Sequence, residues 1–149
     1  MKLAEALQER ADLNRRIEQL RARLINNALV QEGESPAESP EELLKELDEC
    51  ISRLEELMAK INLTNCKTTV DGKSLTELIA HKDALTLKIS HYRELINAAS
   101  RAVPRATRSE IKIMSAVDVQ QLQKKTDEMS KQLRLLDNTI QQTNWTTEL

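Results

Sequence analysis

The stretch that decides the fold runs from Leu75 to Val103, LTELIAHKDALTLKISHYRELINAASRAV. Taken at steps of three and four, it places Leu75, Leu78, Lys82, Leu85, Ile89, Tyr92, Ile96, Ala99 and Val103 on one line. Only Lys82 breaks the apolar character of that line. Spacing of this kind is the mark of an amphipathic α-helix, because 3.6 residues per turn brings such positions onto one face. A helix with one apolar stripe cannot bury it alone. It needs neighbours, and the rest of the chain supplies them.

Three other stretches carry the same rhythm. The first, residues 2–28, aligns Leu3, Ala6, Arg10, Leu13, Ile17, Leu20, Leu24 and Asn27. Arg10 and Asn27 are polar intruders of the type that sets register in helical seams. The second, residues 40–62, aligns Leu44, Leu47, Ile51, Leu54, Met58 and Ile61, with Leu43 and Leu57 beside the line. Ser39-Pro40-Glu41-Glu42 opens it with a Ser cap, Pro in the first turn and Glu three residues after the cap. The last, residues 117–143, aligns Val119, Leu122, Thr126, Met129, Leu133, Leu136, Ile140 and Thr143, with Ser115 and Asp118 as its capping signal. The spacing therefore predicts an all-α protein. Its four principal helices, near 2–28, 40–62, 75–103 and 117–143, lie antiparallel in a bundle or coiled-coil-like arrangement. The whole chain, residues 1–149, reads as one helical domain.

The connections are short and polar. Gly33, Pro36 and Pro40 interrupt the helical pattern after the first helix. Thr68-Thr69-Val70 followed by Asp71-Gly72 has strand propensity and a turn signal, enough for one tiny β-hairpin. Ser74-Leu75-Thr76-Glu77 then reads as a capping box. The first helical stretch holds an excess of base and the second an excess of acid, which favours pairing them as a hairpin.

Composition narrows the chemistry. The chain has 22 Leu, one Tyr, one Trp and no Phe, so its core is aliphatic, as in coiled-coil seams. A net charge of -2 gives no global attraction to nucleic acid or anionic lipid. With only Gly33 and Gly72, no phosphate-cradling glycine loop can be built. Cys50 and Cys66 form no Cys-x-x-Cys pair, and no Glu-x-x-His repeat suits a di-iron bundle. No metal, cofactor or catalytic constellation is expected, and the chain reads as non-enzymatic. The lack of a long apolar run and of a signal segment points to the cytoplasm.

Two clusters stand out as candidate sites. Arg101, Arg105, Arg108 and Lys112 collect in the 101–112 connection against one acid, Glu110, and suit an anion. Asn62, Thr64 and Asn65 in one connection, with Asn144 and Trp145 near the C-terminal end, form a polar cluster at the opposite end of an up-and-down bundle.

The loops and tail resemble a known family. Asn26-Asn27, Val30-Gln31-Glu32-Gly33-Glu34, Ile61-Asn62-Leu63-Thr64-Asn65, Arg108-Ser109-Glu110-Ile111-Lys112, Val117-Asp118-Val119 and Asn144-Trp145-Thr146-Thr147-Glu148-Leu149 resemble the septicolysin-like family of bacterial all-helical proteins. The likeness runs from Met1 to Leu149. It implies an all-α protein of bacterial type and, by the family label, a membrane-active or cytolysin-like role; it assigns a role to no residue.

Three functional expectations follow. The first is a self-associating helical bundle whose partner is itself, as a dimer or a higher closed assembly. Apolar residues beside the seams widen each face beyond what a single bundle uses. The second is a binding module for an anionic ligand, acidic partner or nucleic acid through the 101–112 connection. The third is the cytolytic role that the resemblance implies.

Overall fold

Four long helices form where the four seams lie. The computed structural model describes residues 1–101 and 111–149. The helices are α1 (Leu3–Asn26), α2 (Pro40–Lys67), α3 (Leu75–Ser100) and α4 (Val119–Thr146). Between α2 and α3 sit two short strands, β1 (Thr69–Val70) and β2 (Lys73–Ser74). The protein is therefore all-α with one small hairpin. The chain divides into two compact units. One holds residues 1–74 with 142–149, and the other holds residues 75–141.

In the first unit, α1 and α2 form an antiparallel hairpin. Arg53 meets Glu9, Arg16 meets Glu46 and Arg23 meets Glu38, so partner numbers fall on one helix as they rise on the other. Arg16–Glu46 and Arg23–Glu38 are the charge pairing expected of a basic α1 and an acidic α2, and Arg53–Glu9 runs the other way. The apolar seam between them gathers Leu20, Leu43 and Cys50, with Leu13, Ile17, Leu24 and Leu47 packed around them.

One seam is offset from its expected line. On α2 the buried positions are Leu43, Cys50, Leu57 and Ile61, not Leu44, Ile51 and Met58. Leu43, Cys50 and Leu57 repeat every seven residues, and so do Leu44, Ile51 and Met58. Sequence periodicity cannot rank two adjacent heptads of equal apolarity. Which heptad is buried is settled by how the helix is rotated against α1.

The turns follow local chemistry. Ser39 caps α2, its Oγ accepting from the Glu42 backbone N–H at 3.4 Å. The α1–α2 connection turns at Gly33, where the Glu34 N–H reaches the Gln31 carbonyl at 3.0 Å. Gly33 has φ of +84° there, as a turn with a left-handed third residue requires. Asn27, the polar residue ending the first seam, ties this connection down. Its Nδ2 donates to the Arg23 carbonyl at 2.8 Å, and its Oδ1 accepts from the Glu38 N–H at 3.0 Å. In the small hairpin Thr69 pairs with Ser74 and Val70 with Lys73. Asp71 and Gly72 between them both have positive φ, 50° and 81°, the signature of a two-residue hairpin turn matched to strand twist.

α2 runs to Lys67, five residues past its expected end at Asn62. Asn62, Thr64, Asn65 and Cys66 are thus on a helix and not in a loop. Of these, Asn62 and Cys66 are exposed, and Thr64 and Asn65 are half-buried.

In the second unit, α3 and α4 also run antiparallel, since Lys82 pairs with Asp137 while Arg93 meets Ser130. Leu85, Ile89 and Met129 form the core, with Tyr92 and Leu133 against it. Thr126 is buried in this seam without cost to its hydroxyl, which donates to the Leu122 carbonyl one turn back at 2.8 Å. Asp118 caps α4 by accepting from the Gln121 N–H at 3.0 Å. Ser115 makes its own local turn with Val117 instead of the cap.

Candidate functional site

The residues flagged in the sequence fall in unequal places. Arg101 and Lys112 are exposed, while Arg105 and Arg108 lie outside the described residues. In the polar cluster, Asn144 is buried, Thr64 and Asn65 are half-buried, and Asn62 is exposed. Trp145 keeps 52% of its surface exposed. The residues around it join the two chain ends. The Leu3 N–H donates to the Thr147 carbonyl at 2.9 Å, and the Leu149 N–H donates to the Met1 carbonyl at 2.9 Å. Glu148 takes an ion pair from Lys2 at 2.5 Å and one from the Met1 amino group at 3.2 Å. The chain ends are thereby joined by an isolated antiparallel bridge, Lys2 opposite Glu148.

Unit 1 carries a ladder of cross-helix ion pairs. The Arg53 guanidinium donates to both carboxylate oxygens of Glu9, at 2.7 and 3.0 Å, and a third bond to Glu56 at 3.0 Å. Lys60 holds the other Glu56 oxygen at 2.6 Å. Arg53 thus turns to α1, and not to Glu49 as its helical spacing would suggest. These bonds hold the Glu9 carboxyl below its ordinary pKa, through Arg53. Glu56 is lowered chiefly by Lys60, and Glu38 by Arg23. Such pairs on a wet surface are structural; they orient α1 on α2.

The groups weighed for chemistry stay apart. Cys50 is buried in the α1–α2 seam, and Cys66 is exposed on the last turn of α2. His91 lies 3.3 Å from Glu94 as an exposed helical pair. Among the described residues no cluster of three or more His, Cys, Asp or Glu could hold a metal ion. No helix among them is long and apolar enough to cross a membrane.

The surface that sequence reasoning mislaid is the outer face of α2. Leu44, Ile51 and Met58, displaced from the seam, are 49%, 46% and 46% exposed. They follow one another at heptad spacing along the same helix. Leu63 continues the exposed apolar set near the helix end. The signal was present as the doublets Leu43-Leu44, Cys50-Ile51 and Leu57-Met58; what it lacked was the side of each doublet that faces inward.

Residues 10–149 match DUF6847, a family of unknown function. The chain belongs to DUF6847. A crystal structure of a functionally unknown conserved protein from Corynebacterium diphtheriae is similar to it, with a TM-score of 0.93 and 41% identity over 100% of this chain and 98% of that one. No curated protein matches the sequence. The DUF6847 match takes in α1 from Arg10 onward, α2, the small β-hairpin, α3 and α4.

Proposed function

We propose that this protein is a non-enzymatic helical protein that associates with itself through the outer face of α2. The observation that carries the reading is the exposed heptad Leu44, Ile51 and Met58. An apolar stripe of constant spacing is self-complementary. A two-fold axis through Ile51 sets Leu44 of one copy against Met58 of the other and Ile51 against itself. Two-fold contacts of this isologous kind are the commonest in soluble oligomers. The stripe is bordered by Glu41, Asp48 and Glu55 against Lys45, an acidic excess. Contact between two such faces is driven by apolar burial and resisted by charge, so raised salt leaves it intact or strengthens it.

Light scattering at micromolar protein tests this. The expected result is a mass above the 17.0 kDa of one chain. Ile51→Lys should return the mass to one chain with an unchanged helical circular dichroism spectrum. A wild-type mass of 17.0 kDa throughout rejects the proposal, and so does an assembly unaffected by Ile51→Lys.

A second reading rests on a different feature. Ile111, Ile113 and Met114 are all exposed, a cluster of apolar side chains suited to a lipid surface. It is the feature through which the cytolytic role implied by the septicolysin-like resemblance would act. Release of a dye from anionic vesicles, abolished by Ile113→Asp with Met114→Asp, is the outcome that favours it.

A further inference from the structure

We propose that the groove between α3 and α4 in the second unit binds a small organic anion with an apolar body, a carboxylate on a hydrocarbon chain. The proposal is independent of self-association through α2 and of the 101–112 stretch. The groove is open to solvent along one side and offers about 660 Å³, within the range of small-molecule sites. Its floor is apolar, made by Ile89 on α3 and Leu133 on α4. Its polar walls carry Lys82 and Arg93 from α3 and Arg134 and Asp137 from α4.

The charges on those walls are not all paired among the described residues. Lys82 is neutralised by Asp137 at 2.5 Å, which closes one end of the groove. Among the described residues Arg93 reaches a neutral hydroxyl and no carboxylate, donating to Ser130 Oγ at 3.4 Å. That oxygen is already engaged, donating to the Thr126 carbonyl at 2.8 Å. Arg134 has no carboxylate partner among the described residues. Glu94 also lines the groove but lies against His91, 3.3 Å away. The cation count of the lining, Lys82, Arg93 and Arg134, exceeds its acids, Glu94 and Asp137, by one.

The contrast with the first unit sharpens the point. There Arg16, Arg23 and Arg53 each cross to a carboxylate on the facing helix or its leading turn. In the second unit the position facing Arg93 is a serine. Among the described residues no carboxylate completes the pattern, and a ligand can supply it. Arg93 and Arg134 stand on opposite walls, staggered by one helical turn, given that Arg93 meets Ser130 and Arg134 follows four residues on. Two guanidiniums so placed suit the two oxygens of one carboxylate. From Arg93 to Lys82 the groove extends about 16 Å along α3, at a rise of about 1.5 Å per residue. That length takes a hydrocarbon chain laid over Ile89 and Leu133.

Calorimetric titration of the full chain with sodium decanoate tests the proposal, with 1-decanol as the neutral probe. The expected result is saturable binding of decanoate at one site per chain, weakened by raising sodium chloride from about 0.05 M to about 0.5 M. The double variant R93Q/R134Q should weaken it about tenfold or more, since bonds to charged groups are being removed. Both side chains are exposed, so the fold should persist; an R15Q/R21Q variant on α1 serves as the charge-matched control and should bind like wild type. Amide resonances of Ile89 and Leu133 should shift on binding. The proposal is overturned by the absence of saturable binding up to about 1 mM, by equal affinity for 1-decanol, by undiminished binding in R93Q/R134Q, or by equal loss in R15Q/R21Q.

Discussion

Arg53 on α2 grips Glu9 on α1 through two hydrogen bonds, Nε to Oε1 at 2.7 Å and Nη2 to Oε2 at 3.0 Å. The pair is 44 positions apart in the chain and fixes the register of the α1–α2 hairpin near its open end. Bidentate geometry of this kind gives direction as well as attraction. With Arg16–Glu46 and Arg23–Glu38 it makes a ladder along one side of the seam.

Acid should loosen this ladder first. Glu9, Glu38, Glu56 and Glu148 all hold their carboxyls below the ordinary value of 4.5. The folded state therefore favours the ionised form, and the unfolded chain binds protons more readily. The resulting stability is complete above the unfolded value and is lost as pH falls through the lower folded values. The thermal midpoint should hold steady from about pH 7 to about pH 5 and decline below that. Circular dichroism melts across this range check it. Arg53→Met should make the acid decline shallower, because Glu9 then titrates alike in both states.

Adjacent leucines on α2 should respond differently to truncation. Leu43 is 4% exposed in the α1–α2 seam, whereas Leu44 is 49% exposed. Leu43→Ala leaves a cavity and should cost about 2–4 kcal/mol in urea unfolding. Leu44→Ala should cost less than about 1 kcal/mol when measured on dilute protein. Equal costs would refute the observed rotation of α2.

The Asp71-Gly72 turn isolates a backbone effect. A methyl group added at Gly72 meets nothing within 4 Å, so only the φ of +81° opposes it. Gly72→Ala should therefore destabilise by about 1 kcal/mol, a cost of left-handed backbone with no steric clash. Asp71→Gly, at a residue with φ of 50°, should be close to neutral. Denaturant midpoints for the two variants check the pair.

Thr126 should tolerate loss of its hydroxyl. It is 1% exposed, and among the described residues its Oγ1 bonds the Leu122 carbonyl alone, one turn back on its own helix. Thr126→Val keeps the shape and removes donor and acceptor together. The stability change should stay within about 1 kcal/mol. A larger loss would show that the hydroxyl serves a contact beyond its own helix.

The sequence by itself determined the four helices, the Ser39 cap of α2 and the small hairpin, while of the two residues in the α4 capping signal only Asp118 caps and Ser115 does not. These depend on chemistry within a few residues: 3.6-residue periodicity, Ser39 and Asp118 as caps, Asp71-Gly72 as a turn. It also made the α1–α2 hairpin legible, since the two stretches differ in charge sign and the connection is short. The end of α2 was misplaced because polar Asn62, Thr64 and Asn65 resemble a loop, while the helix they extend keeps Ile61 buried beneath. Tertiary structure alone decided which member of each apolar doublet on α2 turns inward. Leu43 and Leu44 are chemically identical, so only rotation against Leu20 of α1 distinguishes them, and that rotation is a property of two helices together. The α3–α4 groove belongs to the same class. Lys82 could be seen in sequence as a break in an apolar stripe, but its neutralisation by Asp137, and the absence of such a partner for Arg93 among the described residues, depend on side chains dozens of residues apart. Pairing across helices is set by register, and register emerges only when both seams are packed.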